Sequence, residues 1–465
     1  MPLLGATGGG SAKGFGALAN LGYFIRNSLR FRSSASAYLN RTPTATGSQQ
    51  KFTLSTWVKL GSFATGVDKF IWASADNAAA GVNPSLLWKT FSGTYTFIFD
   101  LGTGGGLTTT QVFRDPSAWY HVVISADTTQ ATAADRMKMY INGSQVTAFS
   151  SATYPSQNTN ILINTPSYPA RIGGVLLTSS TDRFFDGYMA EVNFIDGQAL
   201  TPSSFGKTDA ATNQWIPKKF AGTYGTNGFY LKFADASAAT AAAIGKDSSG
   251  NGNNWTPNNI SVTSGVTYDA MIDSPTLSAA ASNYCVLNPL DKFSSLSISN
   301  GNLNLNGGGN AGNWWSTNST IWVSSGKWYW ETTIGGSQFS VVGVSGLNQP
   351  ISTNDRWVGY TSDSYGYYGD SGNKINNNSS TAYGSTFTAG DVIGVALDMD
   401  AGTLVFYKNN VSQGTAFTGL SGLKTPGFSV NDQGTDPFQN VNFGQRPFAY
   451  TPPSGFKALN AFNLP

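Results

Sequence analysis

Arg136-Met-Lys-Met-Tyr-Ile-Asn-Gly-Ser-Gln-Val146 and Gly402-Thr-Leu-Val-Phe-Tyr-Lys-Asn-Asn-Val-Ser-Gln413 each run an alternating apolar strand into an Asn-led tight turn. A two-residue hairpin that matches strand twist needs positive φ at both central positions, which Asn and Gly tolerate best. Asn142-Gly143 and Asn409-Asn410 stand where that turn chemistry is required, and the stretches around them alternate in the same way. The fold these stretches predict is all-β: two antiparallel β-sandwiches in tandem.

Working outward, short period-two runs recur between Gly, Asn and Ser clusters, with almost no sustained helical periodicity. Phe52-Thr-Leu-Ser-Thr-Trp-Val-Lys-Leu, Tyr95-Thr-Phe-Ile-Phe, Trp119-Tyr-His-Val-Val-Ile and Phe185-Asp-Gly-Tyr-Met-Ala-Glu-Val-Asn-Phe assign residues 29–215 to one sandwich. Lys327-Trp-Tyr-Trp-Glu-Thr-Thr-Ile, Val341-Val-Gly-Val, Asp391-Val-Ile-Gly-Val-Ala-Leu-Asp and Thr403-Leu-Val-Phe-Tyr assign residues 284–465 to the other. Between them, residues 216–283 read as an irregular connector, packed rather than loose, because Phe229, Leu231, Phe233 and Trp255 need cover. Residues 1–28 are Gly- and Ala-rich with a late apolar cluster, Leu18, Leu21, Tyr23, Phe24 and Ile25, followed by Arg26. They read as either a flexible tail or an arm that docks on another subunit.

A chain of 465 residues is long enough for two or three cores and needs no disulfide staple. Its single cysteine, Cys285, reads as a small buried hydrophobe. A formal net charge of +2 with 11% charged residues leaves no basic patch for phosphate backbones, so nucleic acid is not an expected partner. Ser, Thr, Asn and Gly must carry the surface, and with 13% aromatic residues the composition is that of adhesive β proteins and virion components. The start, Met1-Pro-Leu-Leu followed by Gly5-Ala-Thr-Gly-Gly-Gly, lacks the pattern of a secretory signal, and no stretch approaches a membrane span.

Leu54-Ser-Thr-Trp-Val-Lys, Trp119-Tyr-His-Val-Val, Met139-Tyr-Ile-Asn-Gly and Tyr188-Met-Ala-Glu-Val-Asn-Phe-Ile-Asp-Gly-Gln-Ala-Leu-Thr follow one another in the order of a known family. The first sandwich resembles the laminin G-like branch of the concanavalin A-like lectin/glucanase superfamily. Gly326-Lys-Trp-Tyr-Trp-Glu, Val342-Gly-Val-Ser, the run from Gly390 to Asn410, and Val441-Asn-Phe-Gly make the second resemble the SPRY domain. The pairing, with its Gly/Ala-rich start and the Asp247-Ser-Ser-Gly-Asn-Gly-Asn-Asn-Trp connector, resembles fibre or appendage proteins of tailed bacteriophages.

Enzymatic chemistry finds few candidates. Glycan-cleaving relatives of the first fold carry a Glu-x-Asp-x-x-Glu strand, and retaining glycosidases need two carboxyls about 5–5.5 Å apart. The nearest match here is Glu191-Val-Asn193-Phe-Ile-Asp196, with an amide at the middle position. His121 is the one histidine of the chain, which rules out a His-based metal cluster and argues against a Ser-His-Asp arrangement. Asp247 with Asn251 and Asn253, and Asp370 near Asn373, offer oxygens but read better as turns than as a cation site. No cofactor is expected.

Aromatic residues in polar loops remain, as large contact surfaces ordered at small entropic cost. Trp314, Trp315, Trp357, Tyr360, Tyr365 and Tyr368 are the candidates, and the SPRY resemblance implies binding through loops at one end of the sandwich. The phage resemblance implies a non-enzymatic virion protein, a homotrimer on the particle exterior, made in the host cytoplasm. Its arm would dock to virion subunits and its loops would bind a host-surface glycan or protein. The alternatives are a capsid decoration or tail-assembly protein, and a polysaccharide depolymerase, which would require Glu191 and Asp196 to share a face.

Overall fold

The computed structural model describes residues 23–465, apart from 64–65, 67, 75–83, 90–92, 103–104, 178–179, 308–311, 337–338 and 432–437. They form two compact units. One holds the described residues through Thr263 together with Tyr268–Thr276; the other holds Ser264–Thr267 and Leu277–Pro465. Leu18 and Leu21 lie outside the described residues.

The first unit is built on two large antiparallel sheets, beside which the two-stranded ribbons Val175–Leu177 with Ser180–Asp182 and Gly206–Thr208 with Trp215–Pro217 pair separately. In one, the order is Ser144–Gln145, Met137–Ile141, Trp119–Asp127, Lys51–Leu60, Gly187–Asp196, Ser28–Phe31 and Ala270–Met271, with Phe229–Leu231 also paired to Gly187–Asp196. The second runs Phe149–Thr153, Gly106–Thr109, Thr96–Asp100, Ser85–Lys89, Lys69–Ser74, Ala170–Ile172, Tyr38–Arg41 and Thr256–Asn258. Their inner faces bury Phe52, Leu54, Trp72, Trp88, Phe97, Phe99, Ile124, Met139 and Phe194, as period-two alternation requires. The hairpin at Asn142-Gly143 has φ of 48° and 83° at its two centres, and Asn142 Oδ1 accepts the His121 N–H at 2.8 Å. A Cβ at Gly143 would lie 2.3 Å from Trp215, so this glycine answers both a turn and a close approach.

Residues 216–283, read from sequence as a connector, contribute strands to both sheets of this unit. Phe229, Leu231, Phe233 and Trp255 belong to its core, and a buried core face cannot be finished without them. Two buried ion pairs fix the returning chain: Arg30 to Asp269 at 3.0 Å and Lys59 to Asp273 at 2.8 Å. The start of the chain is likewise internal. Ile25 is buried and its carbonyl accepts from the Thr276 hydroxyl, while Ser28 opens a strand between two others. Tyr23 and Phe24 are half-buried and Arg26 exposed, so the described part of the expected arm is occupied with its own sandwich.

The second unit also stacks two sheets. One runs Leu287–Lys292, Trp314–Ser319, Thr425–Asn431, Ser340–Ser345, Tyr365–Tyr368, Asn373–Asn376 and Ser379–Ala382. Its partner runs Ser297–Ser299, Asn304–Asn306, Phe438–Asn442, Lys327–Ile334, Val392–Asp398, Thr403–Lys408 and Val411–Thr418, with Lys457–Ala458 added in parallel to Lys327–Ile334. Tyr367 of the first sheet meets Phe406 of the second at 5.2 Å between ring centroids, and Trp315, Trp328, Trp330 and Phe428 are buried. The Asn409-Asn410 hairpin has φ of 47° and 68°.

Candidate recognition surface

Three strands of the seven-stranded sheet carry a glycine at the same level. Gly343 is registered with Gly366 on one side and Gly427 on the other. Glycine inside a strand marks a place where another backbone approaches closely, and residues 346–364 lie there. A Cβ at Gly366 would stand 2.4 Å from the Val358 carbonyl oxygen, and one at Gly427 would stand 3.0 Å from Val358 Cγ2. Val358 thus drops into a trough on the outer face of the sheet, where it is buried with Val341 and Ile375.

The crossing segment is held along its length. Asp355 and Trp314 exchange bonds at 3.1 Å, the Asp355 N–H donating to the Trp314 carbonyl and the Trp314 N–H to Asp355 Oδ1. The Ser316 hydroxyl donates to the Arg356 carbonyl at 2.7 Å, and the Val358 N–H donates to Ser429 Oγ at 2.9 Å. Gln349 Nε2 donates to the Arg356 and Trp357 carbonyls, and Asn376 Nδ2 to those of Thr361, Ser362 and Ser364. Few backbone groups are left to rearrange, so the side chains the segment presents are pre-organised.

Those side chains form one aromatic patch. Trp314 meets Trp357 at 5.9 Å and Tyr368 at 5.3 Å between centroids, the latter edge-on. Trp357 meets Tyr360 edge-on at 5.9 Å, and the Arg356 guanidinium lies 4.1 Å from the Tyr360 ring centre. All four rings are half-buried, Trp314, Trp357 and Tyr368 over the Val341, Val358 and Ile375 floor and Tyr360 against Trp357. The Trp357 Nε1 is buried and has no hydrogen-bond partner among the described residues. Burial first, and the neighbouring Asp370 second, push the Tyr368 hydroxyl up to about 12. The patch therefore offers neutral rings, one stacked cation and the exposed Asp355 and Asp370 at its edge.

Two sequence candidates fall elsewhere. Trp315 is buried on the inner face, stacked on Phe293 at 5.8 Å, and Tyr365 points inward to Phe417 at 5.0 Å. Strand alternation separates them from Trp314 and Tyr368. Arg356 and the glycine row were missed. The signal lay in Gly343, Gly366 and Gly427, each inside an alternating run.

In the first unit, Glu191 sits at a β-bulge with φ of 51°. Its carboxylate accepts from the Tyr23 and Tyr230 hydroxyls, each at 2.5 Å, and burial raises its pKa. Tyr230 is registered with Asn193, which places Glu191 on the outer face of the sheet. Asp196 accepts instead from the Ser48 and Asn227 N–H groups and from Asn164 Nδ2. The two acids share no partner and serve opposite sides of their strand. His121 is buried: Trp215 Nε1 donates to its Nδ1 at 2.9 Å, so the ring proton is on Nε2 and is donated to Ser55 Oγ, also at 2.9 Å. Asp247 caps its own turn, accepting from the N–H groups of Ser249 and Asn253 and from that of Tyr230.

Comparison with known proteins fits this geometry. Residues 33–204 match the family model of the concanavalin A-like lectin/glucanases superfamily, and residues 327–445 match that of the SPRY domain. The chain carries a concanavalin A-like domain and a SPRY domain. Among curated relatives, E3 ubiquitin-protein ligase RKP of Arabidopsis thaliana is 37% identical over 147 residues, covering 30% of this chain and 11% of the relative. Ran-binding protein 10 of Danio rerio is 34% identical over 178 residues, covering 35% of this chain and 28% of the relative. Ran-binding protein 9 of Xenopus laevis is 35% identical over 178 residues, covering 35% and 30%. The chain thus spans less than a third of the length of each. Among solved structures, the SPRY domain of human HERC1 is matched at 24% identity with a TM-score of 0.30, over 36% of this chain and 99% of that one.

These relatives belong to a plant and to vertebrates, and they correct the functional expectation. A bacteriophage tail fibre that binds a host receptor, its decoration alternative, its virion and host-glycan partners, its trimeric state and its location on a particle rested on composition and on the pairing of two domain types with a Gly-rich start, while the depolymerase alternative rested on Glu191 and Asp196, which serve opposite sides of their strand. Domain architecture is shared far more widely than function, and the relatives that match this chain over 147–178 residues are eukaryotic proteins.

Proposed function

We propose that this chain is a non-enzymatic recognition protein whose SPRY domain binds a protein partner through the surface formed by Trp314, Arg356, Trp357, Tyr360 and Tyr368. The observation that carries the reading is the half-exposed aromatic cluster on a segment pinned across the outer face of the sheet. Aromatic residues and Arg dominate the energetics of protein interfaces, and rigid presentation lowers the ordering cost of binding. Relatives named for binding Ran and for ubiquitin ligation support a protein as the partner class, since each name implies engagement with another protein.

The test is a peptide-library selection against the intact chain, followed by titration of the selected peptides to Trp357→Ser and Tyr360→Ser variants. Each variant should keep its melting temperature within a few degrees and weaken binding by at least about tenfold, the effect of removing an interface hot spot. Selected peptides that bind both variants as tightly as the parent would refute this surface.

A further inference from the structure

On the SPRY domain the rings of the patch stand in a row. Tyr368, Trp314, Trp357 and Tyr360 follow one another with neighbouring centroids 5.3, 5.9 and 5.9 Å apart and successive ring planes turned by 76°, 60° and 87°. The row therefore alternates ring faces with ring edges. At those distances the rings touch, which leaves no space among them to enclose a cation as an aromatic cage does. An occupant has to lie along the row.

Two further features narrow what that occupant is. The carbonyls of Asp355, Arg356 and Trp357 already accept side-chain donors, from Arg356 Nη1, Ser316 Oγ and Gln349 Nε2 respectively. The N–H groups of Asp355 and Val358 are spent on the Trp314 carbonyl and Ser429 Oγ. A peptide that added itself as a β-strand along this segment would find those ladder groups engaged. The charge is also polarised. Asp355 and Asp370, both exposed, stand at the Trp314 and Tyr368 end, the first bonded to the Trp314 N–H and the second to the Tyr368 hydroxyl. Arg356 lies over Tyr360 at the other end.

Resting on that surface as the binding site, we propose that its partner is a proline-rich segment in the polyproline II conformation with a Lys or Arg beside it, seated so that the basic residue meets Asp355 and Asp370. Polyproline II has no internal backbone hydrogen bonds to match and docks on aromatic-lined surfaces through ring contacts. It advances about 3.1 Å per residue, so two residues cover one step of the ring row. Proline arrives with φ fixed at about −65°, and the pinned crossing segment is equally ordered, so little conformational entropy is lost on either side. The basic flank complements the acid end, and Arg356 repels one at the other.

The experiment is fluorescence-anisotropy titration of the intact chain into labelled synthetic peptides. The probe is an oligoproline of about eight residues with an arginine pair at one end, made in both orientations. Its controls carry alanine for every proline, or glutamates for the arginines. The tighter orientation should bind saturably, the alanine peptide at least about tenfold more weakly and the glutamate peptide several-fold more weakly. Trp357→Ser should weaken the arginine peptide by about tenfold or more. An Asp355→Asn/Asp370→Asn double variant, which keeps an acceptor for the Trp314 N–H, should hold its melting temperature and bind the arginine and glutamate peptides alike. Equal binding of the alanine peptide would overturn the polyproline partner, and a parent chain that binds the glutamate peptide equally would overturn the basic flank. Oligoproline that fails to bind, while library-selected peptides of other composition bind and lose affinity in Trp357→Ser, would overturn this partner and leave the surface standing; failure of both would remove the surface too. A concentration-dependent dimer that Trp357→Ser dissolves would assign the row to a second copy of the chain and overturn the proposal.

Discussion

Gly366 has a carbonyl oxygen where any other residue would put a methyl group. With Val358 O at 2.4 Å and Val341 Cγ1 at 2.6 Å from its missing Cβ, Gly366→Ala must lift the crossing segment or distort the strand. We expect a loss of about 1–3 kcal/mol, as for overpacked sites, with a shift in tryptophan emission as Trp357 moves, both read in urea titrations. His121 makes a prediction of opposite character. Burial lowers its pKa to about 3 from an ordinary 6.5, so over that window the unfolded chain binds a proton the native one refuses. Its contribution to stability is complete above pH 6.5 and is lost as pH falls toward 3, at up to about 1.4 kcal/mol per pH unit. Glu191 and Glu331, whose pKa values burial raises, act with the other sign, because there the native state holds the extra proton. A His121→Gln variant separates the contributions: it should be less stable than the parent at pH 7 and should close that gap by pH 4.5, as measured by urea midpoints.

At the scale of elements, residues 346–364 behave as an extra layer rather than as a loop. Val358 is the one side chain of the segment seated among the glycines, with Val341 and Ile375 beneath it. Val358→Ala removes two methyl groups from a closed floor and should cost about 1–2 kcal/mol. Much of that loss should be local, so amide exchange should accelerate at Val358 and Gly359 more than in Ser340–Ser345, where ladder bonds persist. Uniform acceleration would mean that the segment is integral to the sheet. The strands and both hairpins were legible because period two and Asn-led turns are local signals. The patch was only half legible. Trp314, Trp357, Tyr360 and Tyr368 could be named, but whether Trp315 and Tyr365 joined them depended on which face of each strand turned inward. That choice is settled by pairing across the sheet, as in Val342 opposite Tyr367, and one residue of register reverses it.

For the whole molecule, the boundary between the two units decides what can fold alone. Alternation stops being regular after residue 215, which is why residues 216–283 read as a linker. They contain few strands but much of a core: Trp255 and Leu231 are fully buried, and Asp269 and Asp273 neutralise Arg30 and Lys59 inside the first unit. Ending the chain at residue 215 removes those side chains and leaves two cations buried without their partners. Loss of a large buried aromatic costs about 3–5 kcal/mol, and breaking one buried pair costs about as much again. Together these match the whole stability of an ordinary domain, about 5–15 kcal/mol. A fragment of residues 23–276 should therefore show a native near-ultraviolet dichroism spectrum and a cooperative urea transition, while one of residues 29–215 should show neither. Cooperative unfolding of the shorter fragment would demote the later strands to a covering on a sandwich already complete.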